Sequence, residues 1–481
     1  MKLRTDAARI FLTAVLIYAA FWNPWLQSSM GWNSLDTTVS LLDGGRWDSV
    51  HFELYDRMDT ITFEGRVFST QPPGLAVLMM PMYLVWRTMA GPVETVEEFR
   101  QFNRFLVLGL GVPAAALSVV QVFWLAGWLG AGRREQLWAA GLFAFGTQNF
   151  LFGTMLFKEG LVGLAVVAAV RLSIEPGGAI RRTLAGSVAG LATALVYQAG
   201  LLIPLLAVYV ARRGGTRQAA GFLLGCAPFV VALGVYHTWL FERPWRTGYA
   251  TTMNQWGSGY LQFKPVILLD LLAGPGGGLF LYAPFLLLAL FGSILAWRDG
   301  RHAEVAVIGA FAVGLWIVAG SWLAAFGDRA RFGVGLGPRM MFPAVPLLAA
   351  LAAPALAQVS RRVVLLVAIP SVICGYLGAQ AGLIPGADPV VYALKTWISG
   401  TGMGVLFKEA LPVWLGLDTL HTVLSRPEVG ASDLLRLLPT AEGARLAGNQ
   451  LLLLGANLLV LGGVAWFLLR LWKKEEKRIE Q

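Results

Sequence analysis

The chain reads as an all-α polytopic membrane protein, and three observations say so. Of its 481 residues, 56% are hydrophobic and only 14% are charged, against roughly 25% charged in soluble domains. Apolar stretches long enough to carry a helix across the hydrocarbon core, about 20 residues each, recur from one end to the other. Stretches such as 363–383 and 451–469 are apolar on every side and lack the period-2 alternation of a membrane β-barrel.

About twelve transmembrane helices follow, at approximately 10–28, 103–128, 136–153, 159–174, 183–197, 199–211, 218–240, 279–297, 303–320, 341–357, 363–383 and 449–471. Lys2, Arg4 and Arg9 precede the first. That start looks like a signal peptide, but no small-x-small cleavage site follows, so it is read as an uncleaved helix. Basic residues punctuate the chain at Arg133-Arg134, Arg171 with Arg181-Arg182, Arg212-Arg213 with Arg217, Arg298 with Arg301, Arg361-Arg362 and the tail from Arg470 to Arg478. All fall on one side if the spans alternate, and short basic loops stay cytoplasmic, so both termini are placed in the cytoplasm of a plasma (inner) membrane protein. The net charge of +10 is thereby topological, and nothing points to nucleic acid.

Residues 74–90 test this arrangement. They are apolar but short and contain Pro81. A crossing there would move Arg133-Arg134 outside, so the segment is expected to be a re-entrant or interfacial helix in the first outer loop. The outer side then holds 29–102, 241–278, 321–340 and 384–448. Residues 1–383 form one membrane module with its outer loop 29–102, residues 384–448 a variable outer segment, and residues 449–481 the last helix and a basic cytoplasmic tail.

Several smaller features have plain explanations. Gly186-Gly190, Gly221-Gly225 and Gly274-Gly278 are each spaced by four, which suits close helix packing through small residues. The run at Gly274 lacks the Lys-Ser/Thr of a phosphate loop. Cys226 and Cys374 lie in apolar spans and form no disulfide framework. His51, His237, His302 and His421 share no metal-ligand spacing and read as structural or solvated.

Three places could hold chemistry. Between Asn33 and Gln71 stand Asp36, Asp43, Asp48, Glu53, Asp56, Asp59 and Glu64, with Arg46, Arg57 and Arg66. A solvated loop accounts for any one acid; a carboxylate held at the membrane surface could instead take a proton from a hydroxyl or hold a divalent metal. Lys158-Glu159 interrupts the apolar stretch from Leu137 to Val170. It is either a hairpin tip in water or a pair of charges at membrane depth, which is a functional signal. Finally, Trp322 to Pro346 brings Asp328, Arg329, Arg331 and Arg339 to the outer face, as interfacial anchors or as a clamp on an anionic headgroup.

The order of these features resembles a known family. A first helix and an acidic outer loop are followed by Gly65-Arg66-Val-Phe-Ser69-Thr-Gln71-Pro72-Pro73-Gly74-Leu and Pro81-Met-Tyr83. Then come Leu156-Phe-Lys-Glu159, Gly278-Leu-Phe-Leu-Tyr282-Ala-Pro284 and Gly337-Pro-Arg339-Met-Met-Phe-Pro343. Over roughly residues 10 to 350 this resembles the GT-C superfamily of polyprenyl-phosphate-sugar-dependent glycosyltransferases. The likeness is to bacterial relatives of protein O-mannosyltransferases and lipid A aminoarabinose transferases.

The resemblance implies an inverting sugar transfer at the outer face, from a polyprenyl-phosphate donor lying in the membrane lipid to a hydroxyl of a glycan, lipid or protein acceptor. It points to Asp36 as the base, with Asp59 the second candidate for that role, and to Glu159 as a second carboxylate that binds the acceptor or positions the base. Arg339, Arg66, Lys158 and Gln71 are the implied donor-phosphate contacts. The chain departs from the pattern at Gln71, where relatives often carry Lys before Pro-Pro. An amide cannot neutralise charge, so another cation must substitute. A divalent metal on outer-loop carboxylates is an open alternative. So are two other functions: a transporter or flippase of lipid-linked sugar, and a non-catalytic assembly subunit. The paired interrupted helices expected of a transporter are not seen, since 183–211 has no mirrored partner.

Overall fold

The computed structural model describes residues 2–22, 29–51, 59–255, 262–274, 277–326 and 337–381. The expected Asp328, Arg329 and Arg331, the segment 384–448 and the helix 449–471 lie outside them. The elements run α1 Lys2–Ala20, α2 Ser29–Gly44, β1 Thr60–Phe63, β2 Arg66–Ser69, α3 Gly74–Ala90 and α4 Val96–Leu106. A π-helical turn then leads into α5 Val112–Trp128, α6 Arg133–Phe145, α7 Asn149–Thr154, α8 Lys158–Ile174, α9 Ala179–Leu195 and α10 Leu202–Phe241. The rest are α11 Gly248–Gln255, α12 Pro265–Ala273, α13 Leu279–Tyr282, α14 Leu288–Arg298, α15 His302–Phe326, α16 Val345–Leu356 and α17 Arg361–Ala381.

The chain is a helical, polytopic membrane fold. Five helical stretches among the described residues are long and apolar enough to cross a membrane: Val96–Trp128, Tyr197–Phe241, His302–Ala324, Arg339–Leu356 and Arg361–Ala379. That is fewer than the twelve expected, for identifiable reasons. Helix α6 has 13 residues, short of a full span, and α8 and α9 have 17 each, at its lower limit. The expected helix 279–297 is broken at Ala283-Pro284 into α13, a 3-10 turn and α14. In the other direction, the 40 residues of α10 would measure about 60 Å at 1.5 Å per residue, twice the hydrocarbon core. Gly215, at φ 78° and ψ 174°, divides it into arms that match the expected 199–211 and 218–240.

Helices α9 and α10 meet backbone to backbone. A Cβ on Gly186 would stand 1.9 Å from the Phe222 carbonyl oxygen, and one on Gly225 would stand 2.0 Å from that of Thr183. The spacing by four therefore marks a helix seam there, as expected. At Gly274 and Gly278 it does not. That pair closes a tight turn instead, in which the Gly278 N–H donates to the Gly274 carbonyl at 2.8 Å.

Polar contacts sort the bundle into two ends. At one, Arg133 grips both Asp6 oxygens at 2.6 and 2.7 Å, and Glu175 accepts from Trp128 Nε1 at 3.0 Å and Arg181 at 2.7 Å. There too Arg182 donates to Gln218 at 3.0 Å, and Arg213 lies 3.3 Å from Glu304. These contacts gather four of the basic loops on a single end, as simple alternation of spans requires. Helix α8 connects this end, at Arg171, to the other, at Lys158. The far end carries α2, the hairpin, α3 and α11. The hairpin pairs Thr60 with Ser69 and Ile61 with Phe68. Glu64 and Gly65 turn it with φ of 51° and 74°, the double left-handed conformation of a two-residue hairpin loop.

Candidate functional site

The far end of α8 holds the densest set of expected residues. Phe157 is extended, at φ −141° and ψ 135°, so Lys158 and Glu159 open the helix. They are only 8% and 5% exposed, which excludes a hairpin tip in water. The Lys158 ammonium donates to Gln71 Oε1, and its Nζ stands 3.4 Å from the Tyr249 hydroxyl. Tyr249 donates to the same amide oxygen. Gln71 itself is steered by Ser69, whose Oγ accepts its N–H at 3.1 Å. A cation is thus set against the neutral amide by Lys158, brought in from 87 residues away.

Arg339 opens a 3-10 turn, Arg339–Ala344, directly after Gly337-Pro338. Gln148 Nε2 pins that approach by donating to the Gly337 carbonyl at 2.8 Å. The guanidinium lies over the Phe157 ring at 5.3 Å, with Nε 3.5 Å from Glu159 Oε1. Arg339 Nε and Nη1 and Glu159 Oε2 are buried and have no hydrogen-bond partner among the described residues. A charged N–H group buried without an acceptor is costly, so this arginine has capacity for an anion. Burial, reinforced by the charge of Asp59, raises the Tyr249 phenol well above its ordinary value. It is therefore a neutral hydrogen-bond donor.

Asp59 reaches the same cluster through its charge, which acts on both Lys158 and Tyr249. Its backbone is left-handed, at φ 62°. Its carbonyl accepts from Asn33 Nδ2 at 3.0 Å and from the Thr70 N–H and hydroxyl, both at 2.9 Å. A polar chain therefore runs from α2 through Asp59 and Thr70 to Gln71 and Lys158.

Asn33, Asp36 and Ser40 lie on one face of α2 at helical spacing, and all are buried. Asp36 is fully enclosed. It accepts from Ser40 Oγ at 3.2 Å, from the His51 N–H at 3.2 and 3.3 Å, and faces His51 Nδ1 at 3.0 Å. The hydrogen bond to Asp36 raises the His51 pKa, against the pull of burial, with smaller help from the charges of Asp36, Asp43 and Glu94.

Arg66 sits elsewhere. On the hairpin, half exposed, it donates to Asp48 at 2.7 Å, and Arg46 bonds the same carboxylate. Asp59, Glu159, Gln71, Lys158 and Arg339 are thus brought together, Asp36 stands on the adjoining helix with His51, and Arg66 faces away into an ion-pair triad. Sequence reasoning missed Tyr249 and set His51 aside. Neither carries a local signal, since Tyr249 lies 178 residues from Gln71 and His51 lies 15 from Asp36, and only the fold joins them. Among the described residues no group of three or more His, Cys, Asp or Glu is placed to hold a metal ion.

No protein-family model matches the sequence, and no curated protein matches it either. Among solved structures the chain is similar to ArnT from Cupriavidus metallidurans bound to undecaprenyl phosphate, at 13% identity and TM-score 0.46, over 93% of this chain and 74% of that one. The apo state of the same protein gives 13% identity and TM-score 0.48, over 94% and 76%. The Archaeoglobus fulgidus oligosaccharyltransferase tethered with an acceptor peptide gives 11% identity and TM-score 0.46, over 86% and 58%. At this level of similarity, function has to be argued from the site itself.

Proposed function

We propose that the chain is a membrane glycosyltransferase that moves a sugar, with inversion, from a polyprenyl-phosphate donor to a hydroxyl acceptor. The supporting observation is Arg339, whose buried Nε and Nη1 have no acceptor among the described residues, beside the buried ammonium of Lys158. A phosphate oxygen placed there would satisfy the guanidinium, and Arg offers the planar donors that suit it. As the bond from the sugar's C1 to the phosphate oxygen breaks, negative charge grows on the leaving polyprenyl phosphate. Cations fixed at that point stabilise the transition state more than the ground state.

Acid groups border the cations: Glu159 beside Arg339, Asp59 beside Lys158 and Tyr249, and Asp36 on α2. The acceptor's proton goes to the α2 side of this arrangement, and Glu159 orients Arg339. The basic end of the bundle faces the cytoplasm of the inner membrane and the site faces outward. Charged groups gathered at the ends of the bundle favour an enzyme over a transporter, whose ionisable residues would stand at mid-span.

The test uses the full chain in nanodiscs with a panel of radiolabelled undecaprenyl-phosphate sugars, together with Asp36→Asn, Asp59→Asn and Lys158→Met. Sugar release or transfer by the wild type, abolished in an acid variant that still binds donor, is the expected result. Donor binding without turnover favours the transporter or assembly-subunit reading, and no binding of any donor overturns the proposal.

A further inference from the structure

The side-chain amide of Gln71 is buried, and its oxygen is where two donors meet. The Lys158 ammonium and the Tyr249 hydroxyl both donate to Oε1, and they stand 3.4 Å from each other. An ammonium only donates, so the amide atom facing it is the oxygen, and the Tyr249 proton is then committed to that same atom. The rest of Gln71 is held unevenly. Ser69 Oγ accepts its N–H at 3.1 Å, and Pro72-Pro73 follow and stiffen the main chain. The amide nitrogen, in contrast, has among the described residues only the Thr70 hydroxyl at 3.5 Å, the outer limit of a hydrogen bond. The side chain is therefore able to turn while its backbone stays. The charges of Asp59, Arg339 and Glu159 all act on Tyr249, so the amide stands within the same charged cluster as the acceptor-free Nε and Nη1 of Arg339.

We infer that the Gln71 amide is an internal occupant of the phosphate site, displaced from Lys158 and Tyr249 when the polyprenyl phosphate binds; this rests on the glycosyl-transfer reading. Tyr249 is a neutral phenol with a single proton, so it cannot serve the amide and a phosphate at once. A phosphate oxygen carries a charge where the amide oxygen is only a dipole. It therefore makes the stronger bonds to both donors, and it satisfies Arg339 as well. In the empty site the amide keeps a buried ammonium and a buried hydroxyl from standing unpaired, which would be costly. After transfer it competes for the same two donors. The polyprenyl phosphate product is then held less tightly than Lys158, Tyr249 and Arg339 would hold it alone, because its apparent affinity scales with the fraction of sites that the amide leaves open. Gln71 thus tunes retention of the lipid phosphate and takes no part in the bond-breaking step.

The test is equilibrium binding of undecaprenyl phosphate to the full chain in nanodiscs, comparing the wild type with Gln71→Ala and Gln71→Asn. The asparagine keeps an amide but draws its oxygen back by one methylene, so it guards against a misfolded alanine variant. Both variants should bind about 10-fold more tightly than the wild type, although without lipid they melt at a lower temperature because Lys158 has lost an acceptor. In a Tyr249→Phe background the gain from Gln71→Ala should shrink, since the freed hydroxyl is one of the donors that the phosphate acquires. A purely structural Gln71 would lower the melting temperature with no gain in affinity, and a direct contact from its amide to the phosphate would weaken binding in both variants. Either result overturns the inference while the wild type still binds the lipid and the transfer reading stands. A gain of the same size without the Tyr249 hydroxyl overturns it too. Binding of the lipid by none of these proteins removes the polyprenyl-phosphate reading, and the displacement with it.

Discussion

Replacing Arg339 by alanine removes one member of a buried pair and leaves the other. Glu159 stands 3.5 Å from Arg339 Nε, and the two side chains are 6% and 12% exposed. At an effective dielectric of about 20, two unit charges at that separation attract by about 5 kcal/mol. Stripping both of water offsets much of this, so the pair adds little net stability while intact. Breaking it is different, because Glu159 would keep its burial and lose its counter-charge, a loss of about 3–5 kcal/mol in comparable cases. Arg339→Ala should therefore be strongly destabilised. Glu159→Gln added to it should restore about 2 kcal/mol or more, since the stranded charge is then gone. The same substitution removes the donors proposed for the phosphate, each charge-assisted hydrogen bond contributing about 1.5–3 kcal/mol. The double variant should thus be stable yet bind undecaprenyl phosphate about 10- to 100-fold more weakly. Denaturant titration followed by tryptophan fluorescence reads the first effect, and lipid-phosphate binding in nanodiscs the second. The reasoning fails if Glu159→Gln worsens the alanine variant, or if the double variant binds like the wild type.

Three further outcomes follow from the geometry. Gly225→Leu places a Cβ 2.0 Å from the Thr183 carbonyl oxygen and should force α9 and α10 apart at a loss of at least about 1–3 kcal/mol, seen as a lower denaturation midpoint. Gln71→Lys sets a second ammonium against Lys158 in a buried place. Its thermal stability should drop, and should recover on adding undecaprenyl phosphate by more than the wild type gains. The pKa of His51 is raised in the folded chain, so its pair with Asp36 adds stability that is fully present below the unfolded value of about 6.5. That stability is lost as pH rises through the folded pKa. Unfolding compared at pH 5.5 and 8.5 should show this loss in the wild type and little of it in Asp36→Asn.

Much of the fold was legible because it depends on local composition. The helices α8, α9, α15 and α17 fall close to the runs read from hydropathy, and 74–90 is a single helix, α3. The seam at Gly186 and Gly225 followed from spacing alone, because small residues on one helical face leave room for a partner backbone. The same spacing misled at Gly274 and Gly278. There, no helix continues past Ala273, so the glycines close a turn, and a residue pattern cannot say whether its helix is present.

The sequence by itself determined the solvent the chain lives in, the helical class, the shared end of four of the basic loops and the identity of most of the charged residues at the candidate site. Hydropathy and charge are additive along a chain, so they can be read one window at a time. The tertiary structure alone decided which charges meet. Lys158 reaches Gln71 from the start of α8, Tyr249 joins from α11, Arg66 turns away to Asp48, and His51 closes over Asp36. Those pairings depend on burial and on hydrogen-bond contact between residues 15 to 178 positions apart. No local signal encodes such contacts; packing of the helices against one another sets them.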